Sequence, residues 1–436
     1  MDHAITMNLT CRRSTLRGSV SIPGSKSHTI RAVAIAASAD GESVIREPLE
    51  SQDADAVIRA YSAFGADIRK RADGWRVTGV GGKFRAPSET IDVGNSGTTL
   101  PIAMGSAALI PGATTSLNGD DQIQRRPVGP LMQSLNDLGA KAAALRNNGC
   151  APVEVSGLLR GGHTSIEAMT SQYVTSLLLC TPLASGDTVI AVPLLHEKPY
   201  VGMTLDWLRR QDIRIDHAAD YSEFRIPGGQ RFKAFDRVIP ADFSSGTFFL
   251  AAGALGENDI LCRGLDMDDS QGDKAVVDYL REMGAEISVE ADGIRVRARG
   301  LRGCEIDLNA TPDALPMMAV AACFAEGTTR LVNVPQARLK ETDRIAVMKL
   351  ELEKMGARVT ELADGLIIEK SELHGAHVES HADHRVVMSL AIAGTLAEGD
   401  TVIHGAEAAA VTYPGFVDAL RALDLQKNLQ MDGWDL

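Results

Sequence analysis

The pentapeptide MGAEI at residues 283–287 returns as MGARV at residues 355–359, and this recurrence decides the fold. Related segments are FGADI at 64–68 and LGAKA at 138–142, while RQDIRI near position 211 and ALDLQ near position 424 occupy equivalent places. The spacing between successive segments is 68 to 74 residues. Each has the form of a helix that ends at a glycine and runs into a strand. The chain is therefore predicted to contain six internal repeats.

A second marker with the same period supports the six repeats. A glycine precedes a strand-like segment at Gly41, Gly112, Gly186, Gly256, Gly327 and Gly399. These glycines lie 70 to 74 residues apart. Two independent markers with one period make a chance recurrence improbable.

Each repeat also contains one helix that is apolar on all sides. A polar cluster leads into an almost wholly apolar stretch at 25–37, 95–109, 170–180, 244–255, 311–325 and 382–394. At about 12 residues, such a helix is a buried helix rather than a membrane span. The second helix of each repeat is amphipathic, so the predicted unit is strand, buried helix, strand, amphipathic helix, strand, strand. If packing gathers several capped N-termini, they form an anion site; repeats that serve packing alone are the alternative.

Composition restricts the classes of function. The 436 residues are 44% hydrophobic, enough for full cores, and carry a net charge of −13. That charge argues against a nucleic acid or an anionic membrane as partner and, at first sight, against an anionic substrate. The N-terminal segment has no apolar signal core, and the six cysteines contain no CxxC pair. These features predict a soluble, cytoplasmic protein with reduced thiols.

Charged side chains stand at several predicted helix starts. Lys26 and Arg31 flank the first, where the helix dipole disfavours a cation unless an anion lies between them. Arg385 enters the sixth buried helix, and Glu341 and Arg344 are spaced one helical turn apart. Such residues favour an anion site, although solvated caps and surface ion pairs are the ordinary alternative.

Other helix starts offer neutral donors or a carboxylate. Gly97 belongs to a glycine-rich turn whose backbone can approach a ligand closely. Thr170, Ser171 and Gln172 form a neutral cradle, and Asp313 places a carboxylate in the first turn of an otherwise apolar helix. Ordinary capping explains these residues equally well.

Four histidines, His374, His377, His381 and His384, suggest a metal site at first. Their segment is predicted to be strand and loop, contains no cysteine and has no tight helical pair of ligands. A metal site is therefore disfavoured.

The motifs PGSKSHTIRA, GNSGTT, RRP, TSQYVTSLL, PDA, KETDR and DHR occur in this order along residues 7–425. Together they resemble the enolpyruvyl transferase family, most closely its branch that acts on shikimate 3-phosphate. The resemblance implies a two-domain inside-out α/β barrel built from six βαβαββ repeats, with buried helices that point their N-termini at the interdomain cleft. It also implies one domain at 24–241 and another formed by 1–23 with 242–436.

The resemblance implies a reaction as well. The enolpyruvyl group of phosphoenolpyruvate moves to the 5-hydroxyl of shikimate 3-phosphate, and phosphate is released on the route to chorismate and the aromatic amino acids. No metal or organic cofactor is implied, the partners are these small-molecule substrates, and we expect a monomer. Since both substrates are anions, the net charge of −13 is expected to describe the outer surface, while the cleft carries the opposite sign.

The resemblance assigns roles residue by residue. The implied catalytic residues are Lys26, Asp313 and Glu341. The implied contacts to shikimate 3-phosphate are Lys26, Ser27, Arg31, Thr170, Ser171, Gln172, Tyr200, Asp313, Gln336 and Lys340. The implied contacts to phosphoenolpyruvate are Lys26, Gly97, Arg126, Gln172, Arg344 and Arg385.

Five positions depart from the common pattern of the family. Pro101 and Val411 stand where an arginine and a lysine are usual, and Glu197 places an anion where a phosphate is expected; Thr170 and Gln336 are milder changes. These departures leave open a paralogue that acts on a related cyclohexene carboxylate. A sister family that acts on a UDP-amino sugar is disfavoured because the loop NGDDQIQRRP lacks its usual cysteine. A catalytically inactive binding module is disfavoured because both acids are retained.

Overall fold

The computed structural model describes residues 7–432. Twelve α-helices follow one another along these residues. They are α1 (Lys26–Ser38), α2 (Gln52–Ala63), α3 (Thr99–Ala107), α4 (Gly129–Asp137), α5 (Ser171–Cys180), α6 (Lys198–Arg210), α7 (Phe243–Gly253), α8 (Ala275–Glu282), α9 (Leu315–Cys323), α10 (Arg344–Lys354), α11 (His384–Gly394) and α12 (Phe416–Leu423).

The strands alternate with these helices. The first twelve are β1 (Asn8–Cys11), β2 (Arg17–Ser21), β3 (Glu42–Arg46), β4 (Asp67–Arg71), β5 (Gly74–Thr78), β6 (Ile91–Asp92), β7 (Thr114–Asn118), β8 (Ala140–Ala144), β9 (Val153–Gly157), β10 (Gly162–Ala168), β11 (Thr188–Leu195) and β12 (Asp216–His217). The next twelve are β13 (Glu223–Ile226), β14 (Asp236–Val238), β15 (Asp259–Arg263), β16 (Glu286–Glu290), β17 (Gly293–Arg297), β18 (Glu305–Asp307), β19 (Thr328–Val332), β20 (Arg358–Leu362), β21 (Gly365–Glu369), β22 (His377–Glu379), β23 (Thr401–His404) and β24 (Gln430–Asp432).

The strands form six four-stranded sheets that share one pattern of pairing. In β10-β11-β13-β12, the pair β10–β11 is parallel and the two following pairs are antiparallel. The same sequence of pairings recurs in β14-β3-β5-β4, β6-β7-β9-β8, β18-β19-β21-β20, β22-β23-β1-β24 and, reversed, in β16-β17-β15-β2. In four of the sheets a buried helix connects the parallel strands, namely α3, α5, α9 or α11, while β3–β14 and β2–β15 pair strands that are distant in sequence.

The chain divides into two compact units. One unit is Gly24–Ile239, and the other combines the described residues before Gly24 with those from Pro240 onward. The short N-terminal segment belongs to the second unit because β1 pairs with β23 and β24, and β2 pairs with β15. Each unit contains three of the sheets and its own apolar core. The predicted two-domain α/β class is confirmed.

The helices that follow the polar clusters are buried, as their apolar sequences require. Every residue of α3, α7, α9 and α11 is buried, and α1 and α5 are nearly so. A side chain accepts a hydrogen bond at the start of α1, α5, α7 and α11. Within residues 7–432, no helix has the length and apolarity that a membrane crossing needs.

Candidate active site

The start of α1 carries the first candidate cation. Ser25 caps this helix, and its hydroxyl accepts a hydrogen bond from the N–H of His28. Lys26 follows, and its Nζ lies 3.1 Å from Oδ2 of Asp53 in the first turn of α2. Only 15% and 6% of the two side chains are exposed. A buried carboxylate therefore balances a lysine at a helix N-terminus, where the helix dipole disfavours a cation.

Arg31 lies one turn further along α1 and is buried among neutral acceptors. Its Nε donates to Oγ1 of Thr204 at 2.9 Å, and Nη2 donates to Oγ1 of Thr175 at 3.2 Å. The terminal nitrogens also donate to the backbone carbonyl oxygens of Ser27 and Tyr200. Burial lowers the pKa of Arg31 to about 10, so the side chain is still a cation at neutral pH. Such a buried cation is well suited to bind an anion, because charge is costly to bury without a charged partner.

The turn before α3 brings a glycine against an arginine. A Cβ atom placed on Gly97 would overlap the guanidinium of Arg126, which follows the 3-10 turn Ile123–Arg125. From the first turn of α5, Nε2 of Gln172 donates to Oγ1 of Thr98 in the same turn at 3.1 Å. Because Gly97 has no side chain, the guanidinium of Arg126 can pack directly against this turn.

The start of α5 is occupied by a carboxylate. Thr170 caps the helix, and both its hydroxyl and that of Ser171 donate to Oε2 of Glu197, at 3.2 and 2.8 Å. Sheet topology explains the contact: β10 and β11 are parallel, with Ala168 opposite Leu195, so the segments that follow them meet at one edge. The neutral cradle predicted at Thr170 and Ser171 therefore already contains an anion.

Tyr200 and Pro101 are two further predicted positions in the same unit. Tyr200 lies in the first turn of α6, partly buried against the core of its unit. Pro101 is buried within α3, and its carbonyl oxygen accepts a hydrogen bond from Oγ of Ser176 at 2.5 Å. Position 101 thus serves helix packing where the family resemblance would place an arginine.

In the other unit, three carboxylates converge on one guanidinium. Arg344 opens α10 with 1% of its side chain exposed. It donates to Asp313 at 2.7 Å, to Glu341 at 2.6 Å and, through two nitrogens, to Asp383 at 2.8 and 3.1 Å. Burial acts to lower the pKa of Arg344, but the three carboxylates outweigh burial and hold that pKa above its ordinary value. Glu341 precedes α10, so this ion pair forms across the start of the helix and not along it.

Arg385 joins the same cluster. It is buried near the start of α11, and its Nη2 lies 2.8 Å from Oδ2 of Asp313. Asp383 caps α11 by accepting from the backbone N–H of Arg385 at 2.8 Å. Asp313 was expected in the first turn of an α-helix; it lies instead in the 3-10 turn Pro312–Ala314, directly before α9. From there its carboxylate bridges Arg344 and Arg385.

Gln336, Lys340 and Val411 complete the predicted positions of this unit. Gln336 is buried in the 3-10 segment Pro335–Leu339, and its Nε2 donates to the backbone carbonyl of Asn309 at 2.9 Å. Lys340 ends that segment and is half-exposed. Val411 ends the 3-10 segment Ala406–Val411, which packs against α11.

The predicted residues thus fall into two sets, one in each unit. The Lys26 set comprises Lys26, Ser27, Arg31, Gly97, Arg126, Thr170, Ser171, Gln172 and Tyr200. The Arg344 set comprises Asp313, Gln336, Lys340, Glu341, Arg344 and Arg385. Each set lies mostly at or just before the starts of buried or amphipathic helices.

Two partners of these sets were missed from the sequence. Asp53 binds Lys26, yet Asp53 and Asp55 both stand in the first turn of α2, and nothing in the sequence separates them. Asp383 was visible as a helix cap, but its bond to Arg344, 39 residues away, depends on how two helices pack. Pairings of this kind follow from tertiary structure and leave no local signal.

The histidine segment does not assemble a metal site. Nδ1 of His377 lies 3.0 Å from Nε2 of His404, and Nε2 of His381 lies 2.7 Å from Oε1 of Glu351. Across the described part of the chain, no group of three or more His, Cys, Asp or Glu side chains is placed to hold a metal ion.

Three kinds of comparison with known proteins point to the same family over nearly the whole chain. The family model of EPSP synthase (3-phosphoshikimate 1-carboxyvinyltransferase) matches residues 11–420. The chain is 51% identical over 416 residues to the 3-phosphoshikimate 1-carboxyvinyltransferase of Ruminiclostridium cellulolyticum, covering 95% of this chain and 98% of that protein. The corresponding protein of Methanothrix thermoacetophila is 46% identical over 421 residues, with 96% and 98% covered. EPSP synthase from Acinetobacter baumannii is similar in structure, with a TM-score of 0.81, 26% identity and coverage of 98% and 100%.

Proposed function

Because the chain belongs to the EPSP synthase (3-phosphoshikimate 1-carboxyvinyltransferase) family, we propose that it transfers the enolpyruvyl group of phosphoenolpyruvate to the 5-hydroxyl of shikimate 3-phosphate and releases phosphate. The family predicted from the seven motifs is confirmed. The names of the relatives favour this acceptor over the related cyclohexene carboxylate that the five departures left open. The protein is a transferase of the shikimate pathway.

The chemistry defines what the side chains must do. The 5-hydroxyl oxygen adds to C2 of phosphoenolpyruvate while C3 gains a proton, which gives a tetrahedral adduct. Loss of a proton from C3 then expels phosphate and restores the double bond. The reaction requires a base for the hydroxyl, an acid that later acts as a base at C3, and cations that bind the anionic groups.

One observation carries the assignment: Asp313 and Glu341 are both bound to the guanidinium of Arg344, at 2.7 and 2.6 Å. Two carboxylates are thereby held on either side of a fixed cation. We assign them as the acid/base pair, with Lys26 assisting proton transfer to phosphoenolpyruvate.

The remaining cations and donors bind the substrates in this proposal. Gly97, Arg126 and Gln172 with Lys26, Arg344 and Arg385 hold phosphoenolpyruvate, whose carboxylate and phosphate fit the planar fork of arginine. Thr170, Ser171 and Lys340 hold the phosphate of the acceptor. Ser27, Arg31, Tyr200 and Gln336 hold its ring and carboxylate. The neutral surroundings of Arg31 support its role, since no protein carboxylate competes among the hydrogen bonds described above.

Phosphate release tests the proposal. We expect the protein, treated with EDTA, to release phosphate from phosphoenolpyruvate when shikimate 3-phosphate is present and not when either substrate is omitted. Replacement of the acceptor by unphosphorylated shikimate forms the third arm. Absence of phosphate release with both substrates would reject the proposed function, and equal release without an acceptor would reduce it to a phosphatase.

The acting form is proposed to be a cytoplasmic monomer. All six cysteines are free thiols, as expected for a protein of a reducing compartment. Light scattering coupled to size exclusion tests the oligomeric state, with the mass of one chain as the expected result.

A further inference from the structure

Glu197 lies two residues beyond the end of β11, in an unusual conformation. It directly precedes α6, with a left-handed φ of 58° that favours glycine or asparagine over other residues. Its side chain makes no capping bond to its own helix. Although carboxylates are normally exposed, only 2% of this residue is. A strained and buried glutamate indicates that the surrounding structure holds its carboxylate in place.

The carboxylate is held at the N-terminus of a different helix. Oε2 of Glu197 accepts hydrogen bonds from the backbone N–H of Ser171 at 3.0 Å, from Oγ of Ser171 at 2.8 Å and from Oγ1 of Thr170 at 3.2 Å. A backbone N–H and two hydroxyls at the start of a ten-residue buried helix are what an oxyanion binds. The protein has therefore seated an anion of its own at this place.

We infer that Glu197 is a specificity-determining residue, an internal anion that competes with the acceptor's phosphate for the start of α5. The inference rests on the proposed function, which assigns Thr170 and Ser171 to that phosphate. One backbone N–H and two hydroxyls satisfy one oxyanion at a time, and two anions within hydrogen-bond range repel each other. The phosphate must displace the carboxylate before it gains these three bonds.

Shikimate, which lacks the phosphate, does not have to displace the carboxylate of Glu197. The 3-hydroxyl of shikimate is neutral and can donate a hydrogen bond to the carboxylate without displacing it. Glu197 therefore weakens binding of shikimate 3-phosphate while leaving binding of shikimate unchanged or slightly stronger. Glu197 therefore reduces the difference in affinity between shikimate 3-phosphate and shikimate. Shikimate 3-phosphate still binds more tightly, because its phosphate carries the larger charge.

The test compares Glu197→Gln and Glu197→Ser with the unmodified protein, using calorimetry with shikimate 3-phosphate and with shikimate. We expect the dissociation constant for shikimate 3-phosphate to fall about tenfold in both variants, while that for shikimate rises or stays the same. The melting temperature is expected to fall, because the donors lose an ionised partner. A residue with a merely structural role would lower the melting temperature without tightening binding. Glu167→Gln, which removes an exposed carboxylate from β10, is the matched control and should change neither constant.

A further variant locates the effect. Addition of Ser171→Ala to Glu197→Ser should abolish the gain in affinity, and inorganic phosphate should stabilise Glu197→Ser more than the unmodified protein. An unchanged or weaker affinity of Glu197→Ser for shikimate 3-phosphate overturns the inference, as does a gain that survives Ser171→Ala. If the unmodified protein releases phosphate from the two substrates while these changes in affinity are absent, the inference fails and the proposed function stands. If phosphate release itself is absent, the proposed function fails, and the inorganic phosphate measurement still decides whether Glu197 occupies an anion site.

Discussion

Arg31 in one unit and Arg344 in the other are both buried arginines, and the protein holds them in opposite ways. Arg31 donates to two threonine hydroxyls and two backbone carbonyls, all of them neutral. Arg344 donates to the carboxylates of Asp313, Glu341 and Asp383. The pKa of Arg31 is lowered by burial, whereas that of Arg344 is raised because its carboxylates outweigh burial.

If the two sets bind the substrates as proposed, this difference predicts two different modes of binding. In the Lys26 set, the charge of Arg31 has no carboxylate among its described bonds, so an arriving substrate carboxylate gains a full charge-assisted contact. In the Arg344 set, a substrate anion must replace a protein carboxylate. Under the proposed assignment of Asp313 and Glu341 as acid and base, such an exchange would free one of these carboxylates from Arg344 as the substrate binds.

The largest expected effect is the loss of folding stability when Arg344 is replaced. Arg344→Met takes this cation away from the buried Asp383 and the partly buried Glu341, while Asp313 keeps its bond to Arg385, so we expect a loss of about 3–5 kcal/mol in the free energy of unfolding. Denaturant titration measures it. Arg338→Met is the matched control, since Arg338 lies in the neighbouring segment with 25% of its side chain exposed and bonds to Asp343 and Glu361. A loss of about 1 kcal/mol is expected there. Equal losses of unfolding free energy in the two variants would show that the buried ion pairs of Arg344 stabilise the fold no more than the more exposed ones of Arg338.

Arg31→Met is expected to behave in the reverse manner. The hydroxyls of Thr175 and Thr204 lie 3.0 Å apart and keep each other as partners, so stability should change by about 1 kcal/mol or less. Binding of shikimate 3-phosphate should weaken by about 1.5–3 kcal/mol, or roughly ten- to 150-fold, in calorimetry. Arg209→Met, which removes an exposed arginine from α6, should leave binding unchanged. A large loss of stability with unaltered binding would assign Arg31 a structural role.

The pH dependence of Arg31 has a defined sign. Its folded pKa of about 10 lies below the ordinary value, so the cost of burying the charge is present below pH 10 and is relieved as pH rises further. In calorimetry, the affinity for shikimate 3-phosphate should therefore be constant through neutral pH and fall above pH 10, where Arg31 loses its charge.

Gly97→Ala tests the close approach within the Lys26 set. The new Cβ would overlap the guanidinium of Arg126, whose flexible side chain can move aside. We expect an increase of about tenfold in the KM for phosphoenolpyruvate, equivalent to about 1.4 kcal/mol, with no change in melting temperature. Gly129→Ala is the control, because a Cβ there meets nothing within 4 Å. An unaltered KM in Gly97→Ala would show that the packing of Arg126 against Gly97 does not contribute to phosphoenolpyruvate binding.

Val411→Lys makes the smallest expected change. It adds a cation to the unit whose two arginines face three carboxylates, so the KM for phosphoenolpyruvate should fall about two- to fivefold. Val289→Lys adds the same charge at a position that is 57% exposed in the same unit. If both variants lower the KM equally, the gain comes from net charge alone and not from position 411.

The fold class was predictable because its signals are local and repeated. Glycines at helix ends and wholly apolar helices recur with one period, and each follows from elementary backbone and burial rules. The candidate residues were predictable in part, since Lys26, Arg344 and Arg385 are charged residues at helix starts. Their partners were not: Asp53, Asp383 and the contact of Glu197 with α5 depend on which helices and strands become neighbours. The departure at Glu197 was visible in the sequence, but its place at the start of α5 was not.

Turnover by Glu341→Gln tests the central claim most directly. The substitution keeps the shape of the side chain and removes its capacity to transfer a proton. We predict that phosphate release from phosphoenolpyruvate and shikimate 3-phosphate is abolished, while the binding of both substrates stays within about tenfold, or about 1.4 kcal/mol. Glu353→Gln, which changes a partly exposed glutamate paired with Lys349 on α10, should retain full activity. Full activity in Glu341→Gln would contradict the account, because the carboxylate bound to Arg344 would then take no part in the reaction.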